Sequence, residues 1–262
     1  MRTGRQIVVG ELCPKVAAGR PAVAPLLMRT TQWIDTASEV TGAVERGTTP
    51  RFAAFGVDGK VAGVFDTLGL ADLTLGQSVA SGTYVGGPPC SSDAGSGQRT
   101  DDPKCAAATG GCGLAVAELS RPDEPPDPPA YAVGGACASG DALGVDIDGD
   151  GAVEWFALSQ VLDGIRGPAQ EWAAIQGSRA ACKPSFALYD VKLAPEPEAG
   201  KSADARATVM LDLLGVLDLD GDGRKELVIA LRFPTVRTVV VYSASQSSQR
   251  LELVGEAQSF QK

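Results

Sequence analysis

Two nine-residue stretches combine four acidic side chains with glycines in the same order and at the same spacing. Residues 146–154 read DIDGDGAVE and residues 218–226 read DLDGDGRKE, so both follow the pattern D-x-D-G-D-G-x-x-E. Carboxylates packed this closely repel one another unless a cation compensates their charge. Calcium is a hard ion that takes about six to eight oxygen ligands in a flexible geometry. The pattern therefore predicts two calcium-binding loops.

Apolar segments flank the second loop on both sides. Residues 210–217 precede it and predict a strand. After it come β-branched runs at 226–232, 237–243 and 250–254, separated by Phe-Pro and by Ser/Gln-rich turns. Such runs between turn residues predict three further strands. The loop is therefore expected to connect two strands of a sheet.

The sequence around the first loop predicts secondary structure less clearly. Residues 143–145 precede it as a short apolar strand, and strand candidates follow at 154–158, 170–175 and 185–193. A helical stripe is the alternative for part of this segment, because five apolar residues also fit a helical spacing. These residues are Trp155, Leu158, Val161, Leu162 and Ile165.

The spacing and flanks of both loops resemble the calcium-binding loops of FG-GAP and related VCBS-type repeats. The resemblance covers each nine-residue loop and, more loosely, the strands after Asp218, but it does not extend to residues 1–130. It implies an all-β fold, made of β-propeller-like blades or of a related multi-sheet β assembly with two calcium loops. Closed propellers have about four to eight blades, and the offset between the loops is 218 − 146 = 72 residues in a chain of 262. Either the N-terminal half supplies blades with degenerate loops, or the chain forms a different all-β assembly.

The same resemblance assigns the ligands of two Ca²⁺ ions residue by residue. The implied side-chain ligands are Asp146, Asp148, Asp150 and Glu154 in the first loop, and Asp218, Asp220, Asp222 and Glu226 in the second. The main-chain carbonyls of Ala152 and Arg224 are implied as further ligands. Gly151 and Gly223 stand where the loop turns sharply and positive φ is needed.

EF-hand and dockerin loops are the main competing interpretation, because they share the first six positions. Those loops carry their last acidic ligand at position twelve, before an exiting helix. Here position twelve is Ala157 or Ile229, and the last carboxylate stands at position nine, at the start of a predicted strand. The β-type loop is therefore favoured, with ion-free Asp-Gly turns as the remaining alternative.

Composition excludes several classes of function. The net charge is −9 and no Lys/Arg cluster stands out, so neither nucleic acid nor an anionic membrane surface is an expected partner. The chain contains no histidine, which excludes Ser-His-Asp and Cys-His catalysis and His-ligated metals. No apolar run approaches the roughly 18 residues of a membrane span.

The six cysteines are even in number and scattered. They are Cys13, Cys90, Cys105, Cys112, Cys137 and Cys182. No CxxC pair indicates a zinc or thioredoxin-type motif. A disulfide framework in an oxidising compartment is the favoured interpretation, and buried free thiols in a cytosolic protein are the alternative. With the calcium loops and a composition typical of GC-rich bacteria, this predicts a secreted, cell-surface or periplasmic bacterial protein.

The chain is expected to divide near a Pro-rich stretch. We predict an N-terminal β region at 1–120 with a disulfide-stapled loop, and a C-terminal β region at 131–262 that carries both calcium loops. Residues 121–130 are acidic and rich in proline, so they form a loop or a linker, and one continuous domain remains an alternative. In the N-terminal region, Asp58-Gly59 between apolar runs predicts a hairpin.

The favoured function is a calcium-stabilised binding or adhesion module without catalytic activity. A protein or polysaccharide at a surface is the expected ligand. Two alternatives stay open: a carbohydrate-active lyase or hydrolase carrying calcium repeats, and a structural subunit of a bacterial surface assembly. Trp33, Trp155 and Trp172 are candidates for a sugar site, although dispersed tryptophans more often belong to the core.

Overall fold

The structure is a computed structural model of the 262-residue chain. It describes residues 6–17, 20–46, 50–57, 59–72, 78–86, 112–121, 133–136, 142–165, 174–183, 187–189, 207–233, 237–244 and 250–259.

These residues form strands almost throughout, together with one short helix. In the first half the elements are β1 (Ile7–Ala17), β2 (Arg20–Arg29), β3 (Trp33–Ile34), α1 (Ala37–Arg46), β4 (Arg51–Phe55), β5 (Val61–Asp72), β6 (Ser78–Gly86) and β7 (Gly113–Glu118). In the second half they are β8 (Val133–Ala136), β9 (Ala142–Val145), β10 (Glu154–Ala157), β11 (Ser159–Ile165), β12 (Ala174–Gln176), β13 (Ala187–Tyr189), β14 (Ala207–Leu217), β15 (Glu226–Arg232), β16 (Arg237–Ala244) and β17 (Leu251–Gln258).

Six antiparallel strands of the first half close into a barrel. Their order is β1-β7-β4-β5-β6-β2, and β2 pairs back with β1, while β3 extends β2. Because side chains alternate along a strand, one set fills the barrel and the other faces outward. The inward set includes Phe52 and Phe65, and helix α1 adds Val40 and Val44 to the same cluster.

An open seven-stranded sheet forms a half-barrel in the second half. Its order is β11-β14-β15-β16-β17-β12-β13. Leu227 and Ile229 of β15 join one hydrophobic cluster, and Val228 and Ala230 join another. The sheet is therefore buried on both faces, which explains why β15 and β16 are nearly continuous apolar runs instead of alternating ones.

The half-barrel lies between two other layers. On one face it packs against outward-facing residues of the barrel, such as Val9 and Leu114, in a single shared cluster. On its other face it packs against the three-stranded sheet β10-β9-β8, which contributes Val145 and Phe156. A core shared in this way joins the N-terminal barrel to the C-terminal sheet.

A buried ion pair also crosses between the barrel and the half-barrel. Glu11 of β1 is fully buried and accepts hydrogen bonds from the guanidinium of Arg237 on β16 and from the Ser259 hydroxyl. The Nε of Arg237 lies 2.9 Å from Oε1 of Glu11. Buried charges need a partner and hydrogen bonds to offset the loss of water, and this contact supplies both across the boundary between β1 and β16.

The predicted all-β class is confirmed, whereas propeller blades are not shown. The predicted strands after the second loop are β15, β16 and β17. The predicted hairpin around Asp58-Gly59 is the β4–β5 pair, with Gly59 at φ 71°. The helical alternative for 155–165 is wrong: residues 155–157 belong to β10 and residues 159–165 to β11, which pairs with β14 in the half-barrel. Leu158 and Leu162 pack against the hydrophobic cluster beneath, whereas Val161 is 53% exposed.

Several predictions fall partly or wholly outside the described residues. Most of the predicted loop at 86–112 and all but Arg121 of the Pro-rich stretch at 121–130 lie outside, as do Cys90, Cys105, Cys137 and Trp172. The division into regions 1–120 and 131–262 stays a prediction.

A disulfide bond joins β1 to the residue before β7. Cys13 and Cys112 are bonded although they are 99 residues apart in sequence. Cys182 is also disulfide-bonded, so no described cysteine is a free thiol. The prediction of disulfides is confirmed for these residues, and the bonds are compatible with an extracellular or periplasmic location. No helix within the described ranges is long and apolar enough to cross a membrane.

Candidate metal centre

Each acidic loop is the connection of an antiparallel hairpin, and the register is the same in both. Val145 at the end of β9 pairs with Glu154 at the start of β10. Leu217 at the end of β14 pairs with Glu226 at the start of β15. The last acid of each loop is thus the first residue of a strand, as the position-nine spacing predicts.

The first aspartate of each loop holds the turn together. The carboxylate of Asp146 accepts hydrogen bonds from the N–H groups of Gly149 at 2.8 Å and Gly151 at 3.1 Å. In the second loop the corresponding distances from Asp218 to Gly221 and Gly223 are 2.7 and 3.0 Å. Short side-chain to backbone bonds of this kind favour a turn over a helix or strand.

The next two aspartates repeat the same local bonding. Asp148 Oδ1 accepts from the Asp150 N–H at 3.1 Å, and Asp150 Oδ1 accepts from the Ala152 N–H at 2.7 Å. The matching bonds in the second loop, to Asp220 Oδ1 and Asp222 Oδ1, are 3.1 and 2.8 Å long. The acidic side chains therefore organise the backbone as well as carrying charge.

Two glycines in each loop adopt positive φ. The values are 78° and 86° for Gly149 and Gly151, and 76° and 92° for Gly221 and Gly223. The prediction for Gly151 and Gly223 is confirmed, and the other pair adds a second turn position that only glycine occupies without strain.

The glutamate at position nine is buried in both loops. Glu154 is 4% exposed and Glu226 is 0% exposed. The N–H of Leu219 donates to Glu226 Oε2 at 2.7 Å and the Ser243 hydroxyl donates to Oε1 at 2.9 Å. The corresponding bond from Ile147 to Glu154 Oε2 is 3.4 Å long, and Glu154 Oε1 accepts no hydrogen bond.

Three of the four predicted side-chain ligands converge in each loop. Carboxylate oxygens of one set lie within 4.8 Å of one another, and so do those of the other set. The sets are Asp146, Asp148 and Glu154, and Asp218, Asp220 and Glu226. Oxygen donors alone, one of them buried and without a hydrogen bond in the first loop, suit a hard cation such as Ca²⁺. Both clusters could hold a metal ion.

The fourth predicted ligand of each loop stands outside these groups. Asp150 Oδ2 accepts a hydrogen bond from Arg179 at 2.8 Å. Asp222 Oδ2 lies 3.4 Å from a guanidinium nitrogen of Arg224 in its own loop. The carbonyl ligands predicted for Ala152 and Arg224 stay predictions.

Burial and crowding of negative charge change the proton affinity of the acids. Burial, reinforced by the charges of Asp220 and Asp218, raises the pKa of Glu226 to about 8. Burial also raises the pKa of Glu154. The pKa of Asp150 is lowered by its bond from the Ala152 N–H and by Arg179. A bound cation holds carboxylates in their charged form and opposes the first two effects.

The two loops touch each other through Lys225. The N–H of this residue donates to the Ile147 carbonyl at 3.0 Å, and its ammonium donates to the Asp146 carbonyl at 2.6 Å. Lys225 is only 8% exposed. The second loop therefore holds the backbone of the first loop at its first two positions.

Two arginines that the sequence did not indicate form ion pairs with the acids of the loops. Arg29 at the end of β2 lies 3.3 Å from Asp220 Oδ2, and its guanidinium sits 6.0 Å from the ring centroid of Trp33. Arg179 contacts the first loop from residues 174–183. Nothing in the local sequence marks either arginine as a neighbour of an acidic loop.

The described tryptophans have packing roles. Trp33 packs against the core shared by the barrel and the half-barrel. The Trp155 ring lies over Gly144, where an added Cβ would come within 2.9 Å of it. These positions accord with the core interpretation of the two residues.

Comparisons with protein-family models, with curated proteins and with solved structures give no match to this chain. The resemblance to FG-GAP and VCBS-type loops therefore rests on the nine-residue pattern.

Proposed function

We propose that both loops bind Ca²⁺ and that this protein is a calcium-stabilised binding or adhesion module that works outside the cytoplasm. The observation that carries the proposal is the convergence of three carboxylates within 4.8 Å in each of two loops with the same hydrogen bonding. Calcium is favoured over magnesium because the loops offer several carboxylates and Ca²⁺ accepts about six to eight oxygen ligands in a variable geometry, whereas Mg²⁺ demands a near-octahedral site and keeps its waters.

The position of the loops in the fold supports a structural role for the ions. Each loop closes a hairpin, and its second residue, Ile147 or Leu219, is buried in a hydrophobic core. Binding of an ion therefore stabilises both the turn and the packing beneath it. At about 100-fold above Kd, a ligand adds about 2.7 kcal/mol of stability per site, which is a large share of the marginal stability of a typical domain.

Location outside the cytoplasm is proposed on two grounds. The Cys13–Cys112 bond belongs to an oxidising compartment. Calcium sites of moderate affinity fill where calcium is abundant, as it is outside cells. A protein or polysaccharide at a surface is the proposed ligand of the module.

Calcium titration of the chelator-treated protein tests the metal sites. Isothermal titration should show two sites in the parent, one site in Asp148→Asn and one in Asp220→Asn, because each substitution removes one charged ligand and keeps its shape. Heat that survives in the double variant, or magnesium binding of equal affinity, would contradict the proposal.

Thermal unfolding with and without chelator tests the structural role. Chelation should lower the Tm of the parent and leave the Tm of the double variant unchanged. An unchanged Tm in the parent would show that the ions do not stabilise the fold.

Retention of the calcium-loaded protein on immobilised polysaccharides and surface proteins tests the module function. Retention should require calcium, should be weaker for the double variant, and should leave the ligand chemically unchanged. Cleavage of the ligand that stops on chelation would favour the enzyme alternative.

A further inference from the structure

The side chain of Arg179, which lies outside the β9–β10 hairpin, contacts two acidic residues of the first loop. Arg179 follows Ser178, whose N–H and C=O both bond to the backbone of Trp155 at 3.0 and 2.7 Å. This bridge holds Arg179 beside β10. From there one terminal nitrogen reaches Asp150 Oδ2 at 2.8 Å, and Nε lies 3.2 Å from Glu154 Oε1.

Both of these oxygens belong to predicted cation ligands. Asp150 already accepts the Ala152 N–H on Oδ1 and Arg179 on Oδ2, and it stands outside the group of three convergent carboxylates. A cation that recruits Asp150 as its fourth carboxylate must compete with the arginine for Oδ2.

The contact between Arg179 and Glu154 is an ion pair without a hydrogen bond. The Glu154 side chain is 6% exposed, and its Oε1 accepts no hydrogen bond even though Nε of Arg179 is 3.2 Å away. A buried carboxylate oxygen left in this state is under-satisfied. A divalent cation bound to the three carboxylates would satisfy it better than the guanidinium does.

The second loop is built differently at the equivalent position. There the Ser243 hydroxyl donates to Glu226 Oε1 at 2.9 Å. A hydroxyl is neutral, so it satisfies the oxygen without repelling a cation. The glutamate of the second loop thus has neutral hydrogen-bond donors, while the arginine of that loop's surroundings, Arg29, lies 3.3 Å from Asp220 Oδ2 instead.

We propose that Arg179 is the resident counter-ion of the first loop, and that Ca²⁺ entering this loop exchanges with it. Arg179 then sets the calcium affinity of the first loop, although it is not a ligand. The inference rests on the proposed function, because it requires that the first loop binds the ion.

The test is calcium titration of the full chain in an Asp220→Asn background, where only the first loop binds. Arg179→Met removes the guanidinium and keeps an apolar stem. Calcium binding should become about three- to tenfold tighter, since partly exposed ion pairs are worth about 1 kcal/mol or less each. Arg179→Lys, which keeps the charge and loses the fork of donors, should give a smaller gain.

Lys183→Met is the matched control. Lys183 is an exposed cation on the turn that follows Arg179, and its N–H bonds to the Ala180 carbonyl at 3.0 Å. Removing it takes away the same charge nearby, so calcium affinity should change by about twofold or less. A second readout is the Arg179 Nε–H resonance, which should shift when calcium fills the first loop.

The outcomes separate the two proposals. Unchanged or weaker calcium binding in Arg179→Met, or an equal gain in Lys183→Met, would overturn the counter-ion role while leaving the calcium sites intact. Absence of calcium binding in both the Asp220→Asn parent and its Arg179→Met derivative would overturn the calcium site of the first loop as well.

Discussion

The two acidic loops have the same backbone and different surroundings. Their nine-residue patterns produce the same four aspartate-to-backbone bonds, with matching lengths that differ by 0.1 Å or less. The first loop joins two strands of four residues each in a three-stranded sheet. The second joins strands of eleven and seven residues, both flanked by other strands, in a sheet buried on both faces.

One such difference lies at position nine. Glu226 is fully buried and each of its oxygens accepts a hydrogen bond from a neutral donor. Glu154 has one long bond and an arginine nearby. The same carboxylate at the same spacing is thus buried among neutral hydrogen-bond donors in one loop and lies beside an arginine in the other. Spacing determines the turn, and packing determines the burial and the neighbouring charges that its acids meet.

The largest loss of stability is expected when the buried second residue of either loop is truncated. Leu219→Ala and Ile147→Ala each remove a side chain that is at most 5% exposed, and each should lower the free energy of unfolding by about 2–5 kcal/mol. Urea denaturation in the presence of chelator measures the change. Val161→Ala is the control, because Val161 is 53% exposed and its truncation should be nearly neutral. A neutral Ile147→Ala would show that the first loop is not anchored as the second one is.

The second effect concerns pH in the calcium-free protein. The pKa of Glu226 is raised to about 8 from an ordinary 4.5, so folding favours its protonated form. Its contribution is fully present below the ordinary value, falls as pH rises, and is lost as pH passes about 8. The slope is about 1.4 kcal/mol per pH unit, so about 2–3 kcal/mol should disappear between pH 5 and pH 7.

Glutamine variants isolate that pH effect. Urea unfolding at several pH values should show a flatter profile in Glu226→Gln, and a smaller flattening in Glu154→Gln, whose pKa is also raised by burial. Saturating calcium should flatten the profile of the parent. Equal flattening of the pH profile by the two variants would show that Glu154 and Glu226 do not differ in their effect on stability.

The third effect tests the contact between the loops. Lys225→Met removes the ammonium that donates to the Asp146 carbonyl at 2.6 Å and should cost about 1–2 kcal/mol of stability. It should also change calcium affinity at the first loop, because Lys225 both holds the backbone of Asp146, a predicted ligand, and places a positive charge beside it. Lys183→Met is the control, because it removes an exposed lysine that makes no hydrogen bond or ion pair with the two loops, both of which lie in the described part of the chain. Neither stability nor calcium affinity should change appreciably in it. Calcium affinity at the first loop that is the same in Lys225→Met would show that the loops act independently.

The smallest effect tests whether the two backbones are equivalent. Gly149→Ala and Gly221→Ala place a side chain at φ 78° and 76° with no atom within 4 Å of the new Cβ. Strain alone should then cost about 1 kcal/mol in each loop. Gly69→Ala, which also meets nothing within 4 Å but has no positive φ, should be close to neutral. A clear difference between the two loop variants would mean that their turns are not the same.

The sequence predicted the all-β class, the position of both loops between strands, and four ligating acids in each loop, of which three converge. It did not predict the barrel, because closure depends on β1 pairing with both β2 and β7, the latter far away in sequence. Nor did it place Asp150 and Asp222 outside the convergent groups. Asp150 pairs with Arg179, which is 29 residues away and which nothing in the local sequence marks as its partner, whereas Asp222 lies beside Arg224 of its own loop.

The nine-residue pattern specifies the turn of each loop, because every bond between an acidic side chain and the backbone of its own loop joins residues at most seven apart. Tertiary structure decided what surrounds the acids. Ser243, Arg179, Lys225 and Arg29 reach their partners across 17, 29, 79 and 191 residues. A local pattern specifies a turn through short-range hydrogen bonds, whereas burial and charge at the site depend on which distant strands pack beside it.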